Sequence, residues 1–144
     1  MMKFNTLILV ALCLLSFERS NPSPSDTNTP SIDDLIPVVI NEHLHHSLPA
    51  DWINEYQKIM TNLKNLLPLY QIYYHSIDIY AWNDKVHDPY PGIKGGAYIS
   101  LNNSDKKQKL FVVEISNHEF LQNHMHRYSV IAHEYFHTYQ MAQN

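Results

Sequence analysis

Cysteine is all but missing from this 144-residue chain: the single copy, Cys13, lies in an apolar run near the N-terminus. The rest of the chain forms no internal disulfide and offers no thiol nucleophile or thiolate ligand. Glycine is nearly as scarce, with three copies at Gly92, Gly95 and Gly96. That leaves no glycine-rich phosphate loop and no nucleophile elbow around a serine. Positive charge is in deficit, with 10 Lys and Arg against 14 Asp and Glu and a formal net charge of -4. The one basic cluster, Lys106, Lys107 and Lys109, sits in a polar turn, so nucleic acid is excluded as an expected partner. Long hydrophobic runs are lacking too. The apolar stretch 7–15 is too short for a comfortable membrane span.

That stretch has the length of a signal-peptide core. Lys3 precedes it, and Ser16 and Ser20 follow as small residues for cleavage. The expectation is a signal peptide over 1–20, an exported (secreted, periplasmic or envelope) protein, and no stable membrane span after cleavage; a retained anchor is the alternative. Residues 21–31 contain no apolar anchor and read as a disordered linker. An exported domain without disulfides relies on its core or on a metal.

Residues 32–144 are expected to form one α+β subdomain: N-terminal helices, a small mainly antiparallel sheet, then a final helix. Ser31, Asp33 and Asp34 followed by Leu35, Ile36, Val39 and Ile40 predict a first helix. A second is predicted over 50–67, where Trp52, Tyr56, Met60 and Leu63 share one stripe and Pro68 ends it. Strands are predicted over 70–82, 97–101 and 109–115, with a Gly- and Pro-rich loop at 83–95 and a polar turn at 102–107. Asn117 is expected to cap a short helix reaching Asn123, and the last helix covers 127–143.

That last helix carries the chemistry. In His133-Glu134-Tyr135-Phe136-His137 the two histidines lie four positions apart and project from one helical face, close enough to hold one metal ion. Glu134 is offset so that it reaches a water on that metal rather than the metal itself. Bulky apolar residues surround the histidines on every side, which predicts a buried helix, and buried imidazoles need partners. Zinc would supply one. The competing account is a pair of core histidines bonded to backbone, with Glu134 in a salt bridge.

The run Ile-Ala-His-Glu-Tyr-Phe-His-Thr-Tyr-Gln over 131–140 resembles the zinc-binding helix of the zincin metallopeptidases, particularly the gluzincin or peptidase-MA-like branch. Gln140 and Gln143 stand where a metzincin extension would place Gly and His. The resemblance implies zinc-dependent hydrolysis of a peptide or protein substrate. In it, His133 and His137 are metal ligands and Glu134 is the general base on zinc-bound water. It also implies an edge strand that pairs with the extended substrate, and Gly96, Ala97 and Tyr98 occupy the matching place. The alternative there is an ordinary Gly-rich turn. The family's third ligand, a Glu on a later helix, has no counterpart before Asn144, so the chain is expected to be truncated after its metal helix. A catalytically silent, exported zincin-like binding protein is the alternative function.

Overall fold

The computed structural model describes residues 35–101, 105 and 107–143. The predicted signal segment, most of the linker and the first residues of the predicted first helix lie outside them. So does most of the predicted polar turn.

Residues Val39–Leu44 form a strand, β1, rather than the predicted helix. Leu35, Ile36, Val39 and Ile40 fit a helical spacing, but Pro37 and the β-branched run Val38-Val39-Ile40 favour extended backbone. Partners far along the chain then decide the matter. β1 lies parallel to β2, Ser76–Asn83, with Ile40 opposite Ile77 and Leu44 opposite Ala81. A parallel pair needs a crossover, and the helix α1, Ala50–Leu66, supplies it.

The sheet is mixed, with the order β1-β2-β4-β3. β4, Gln108–Ile115, runs parallel to β2, whereas β3, Ala97–Leu101, is antiparallel to β4. The expected mainly antiparallel sheet is therefore corrected: β1, β2 and β4 run the same way, and only the edge strand β3 is reversed. Two helices follow, α2 over Asn117–Leu121 and α3 over His126–Gln143. Ser116, not Asn117, caps α2, its side chain accepting from the His118 amide. The class is α+β, and among the described residues one helix precedes β2.

One face of the sheet holds the core. Ile77, Ile79 and Ala81 of β2 alternate inward with Phe111, Val113 and Ile115 of β4. They pack on Trp52, Tyr56 and Met60 of α1 and on Val130, Ile131 and Tyr135 of α3. Trp52, Tyr56, Ile79, Ala81, Val113 and Ile131 are fully removed from solvent. A buried Leu- or Phe-sized side chain contributes roughly 1.5–3 kcal/mol, so this face carries most of the fold. The 84–96 loop covers the other face. Tyr90 meets Tyr80 edge-on at 5.0 Å and donates its hydroxyl to the His43 carbonyl at 2.8 Å.

Among the described residues no helix is long and apolar enough to cross a membrane.

Candidate functional site

The helix α3 is not buried all round, as its composition suggested. Val130, Ile131, Glu134, Tyr135 and Thr138 face the core, while His133 is exposed and His137 half-buried. Phe136 keeps 46% of its surface and Met141 the same. The helix is one-sided in packing although nearly uniform in hydropathy, because only one side meets the sheet and α1.

Two anchors set its position. Trp52 on α1 donates its indole N–H to the Arg127 carbonyl at 2.8 Å. The Arg127 side chain, 6% exposed, ties down the turn between α2 and α3. Its Nη1 donates to the carbonyls of Glu119 at 3.2 Å and His124 at 3.3 Å, and its Nη2 to Asn123 Oδ1. Asn123 stands in the left-handed region, with φ +53, as the chain reverses into α3.

On the outer face of α3 the two imidazoles meet. His133 Nε2 lies 2.9 Å from His137 Nε2, with the rings nearly perpendicular. His137 Nδ1 lies 3.1 Å from Gln140 Oε1. With Nδ1–H donating to that amide oxygen, the lone pair of His137 falls on Nε2, which faces His133. This is the outer-shell arrangement that orients a metal-ligating imidazole. Two nitrogens at this separation are both within reach of one ion, since zinc–nitrogen contacts are about 2.0–2.1 Å. The pair fits zinc in donor type and spacing and His137 in tautomer, while the 2.9 Å contact makes His133 Nε2–H the donor to His137 Nε2. Among the described residues no group of three or more His, Cys, Asp or Glu gathers as a metal site.

Glu134 is 6% exposed. Its carboxylate has no salt bridge or hydrogen-bond donor among the described residues, and the account in which a cation neutralises it is not what the fold provides. It opens on a cleft of about 330 Å³ that Glu134 lines with His133, His126, Ser129, Val130 and Ala97. Behind it, Thr138 Oγ1 donates to the Glu134 carbonyl at 3.1 Å.

The cleft brings the edge strand to the helix. Ala97, the first residue of β3, is its wall opposite Glu134. Gly96 sits just before it at φ +123, a conformation open to glycine, and its carbonyl accepts the Glu114 amide at 2.7 Å. Gly95 packs so closely on the Glu114 carboxylate that a Cβ would collide with it. The strand entry is thus fixed by glycines. Tyr98 goes elsewhere: strand alternation turns it to the other face of the sheet, where it lines a groove with Asp78 and Tyr80 and donates to the Lys94 carbonyl at 3.0 Å.

The remaining acidic and imidazole residues near the motif have other duties. Glu114 accepts the Trp82 indole N–H at 3.2 Å. Glu119 pairs with His126 at 2.8 Å. His118 and His124 are exposed on the α2 side. Gln140 and the Glu119–His126 pair are the members of this neighbourhood that the motif does not announce.

No family model, curated protein or solved structure matches the chain.

Proposed function

We propose that this chain is an exported zinc metallopeptidase of zincin type, with His133 and His137 as metal ligands and Glu134 as general base. The observation that carries the reading is the Glu134 carboxylate. It has neither cation nor donor among the described residues, and the residue lines a cleft shared with His133 and the edge strand. A general base needs such an open position, from which its carboxylate reaches the attacking water.

Bound between the two imidazoles, zinc would act as a Lewis acid on the scissile carbonyl and acidify the attacking water. The chain's own residues supply the rest. Glu134 takes a proton from the attacking water onto its carboxylate and returns it to the leaving amine. The outer edge of β3, with no strand beyond it among the described residues, offers backbone N–H and C=O groups to an extended peptide. Gln140 holds the His137 tautomer. The third ligand comes from outside the described residues.

A catalytically silent, zincin-like binding protein is the second reading, and it is favoured by the absence of a three-residue metal group among the described residues. Zinc content per chain, measured in wild type and His137→Ala, tests the site. The proposal expects bound zinc in wild type and little in the variant, and equal content in both would sink it. Cleavage of a quenched fluorescent peptide library then separates the two readings. Turnover by wild type but not by Glu134→Gln supports the peptidase, and zinc binding without turnover supports the silent protein.

A further inference from the structure

The outward face of α3 carries more than the two imidazoles. Ser129, His133, Phe136, Gln140 and Met141 are exposed along it at three- and four-residue spacing, with His137 half-buried among them. Phe136 and Met141 keep nearly half of their surface. From Tyr128 to Ala142 the one ionic side chain is Glu134, and that residue is buried. No Lys, Arg, Asp or Glu therefore stands on the exposed face of this stretch. A helix that shows one side to water ordinarily sets its charged residues there.

A face without charge suits one kind of partner in particular. In a twofold contact each side chain near the axis meets its own copy, and like charges opposed there cost several kcal/mol. This face brings none. The histidine pair adds a second condition. His133 Nε2 lies 2.9 Å from His137 Nε2, and Gln140 orients the His137 ring from 3.1 Å, so two imidazole nitrogens converge at one point of the face. Zinc closes a structural site with four donors in a tetrahedron. The pair supplies two of them, and the same pair on a twofold-related copy supplies the other two.

We propose that the outward face of α3 docks a second copy of this chain through one shared zinc ion, held by His133 and His137 of both copies. This bridge rests on the ligand assignment proposed above and gives that site a resting form. Both Nε2 atoms bind through lone pairs, so His133 shifts its proton from Nε2 to Nδ1 on binding. Four imidazoles leave no position for water, and Glu134 then has no water to act on. In the separated, catalytic chain the third ligand lies outside the described residues; in the bridged form the second copy's pair takes that place. Phe136 and Met141 flank the pair and lose water on association, which adds to the bridge.

The test is sedimentation velocity of the full chain, in EDTA and with zinc added stepwise. The chain is expected to be monomeric in EDTA and fully dimeric at one zinc per two chains. His133→Ala and His137→Ala are expected to stay monomeric at the same zinc concentration. Phe136→Lys keeps both ligands but sets two like charges face to face, and is expected to weaken dimerisation at least about tenfold. Circular dichroism checks that the three variants are folded. A dimer that survives EDTA, that forms in both histidine variants, or that Phe136→Lys leaves unchanged would each overturn the bridge. A monomer holding one zinc per chain would overturn it too, but would leave His133 and His137 standing as ligands. A folded chain that binds no zinc would remove both the bridge and the ligand assignment.

Discussion

Trp52 on α1 and Arg127 at the start of α3 are joined by a buried hydrogen bond, indole N–H to carbonyl, at 2.8 Å across 75 residues of chain. It fixes the depth at which α3 enters the core, and with it the distance between the His133 side of the helix and the wall at Ala97. Trp52→Phe keeps most of the apolar contact and removes the donor, leaving a buried carbonyl short of a partner. The expected loss is about 1–3 kcal/mol of stability, measured by urea unfolding. A change within the error of the measurement would show that the bond is not a constraint on the helix.

Tyr135 gives the fold an alkaline limit. Its hydroxyl donates to the Leu67 carbonyl at 2.9 Å, and burial pushes its pKa up to about 12 from 10.0. Below pH 10 both folded and unfolded chains hold the proton, and the whole stabilisation is present. Between pH 10 and about 12 the unfolded chain loses it first, so stability falls as pH rises. The slope of unfolding free energy against pH in that window is expected to be shallower in Tyr135→Phe than in wild type. Equal slopes would count against a protected hydroxyl at this position.

Much of the local structure is legible in the sequence, and the pairing of distant segments is not. The stripe of Trp52, Tyr56 and Met60 announces α1, and all three are buried. Pro68 announces its end. The predicted strand from Tyr70 begins instead at Ser76, because the amides of Tyr73 and Tyr74 turn back onto the Tyr70 carbonyl. The β1 segment reads as a helix in sequence because its partner, β2, lies beyond α1, and a local period does not report a parallel neighbour. For the site, spacing alone places His133, Glu134 and His137. Ala97 lines the cleft, whereas strand alternation takes Tyr98 away from it. Glu119 and His126 are brought together by a left-handed Asn123, which no periodicity signals.

On the zinc reading proposed above, Gln140 is expected to tune metal affinity without touching the metal. It holds His137 Nδ1 at 3.1 Å, so Gln140→Ala frees the ring to rotate and to change tautomer. Loss of such an outer-shell partner lowers affinity by about 10–100-fold. His137→Ala removes the ligand itself and should abolish measurable retention. Competition against a chromophoric chelator ranks the three proteins, and a Gln140→Ala affinity equal to wild type would show that the amide does not orient the imidazole.

Glu134 offers a case where function and stability pull apart. The residue is 6% exposed, and its carboxylate faces no cation among the described residues and opens on the cleft. Glu134→Gln keeps the shape and removes the charge. Stability in urea is expected to change by less than about 0.5 kcal/mol, zinc content to stay at the wild-type level, and peptide cleavage to disappear. The combination discriminates where each measurement alone does not. A base of purely structural importance would lose stability on substitution, and a surface carboxylate would change none of the three. Full cleavage activity in Glu134→Gln would remove the general-base assignment, whatever the metal content.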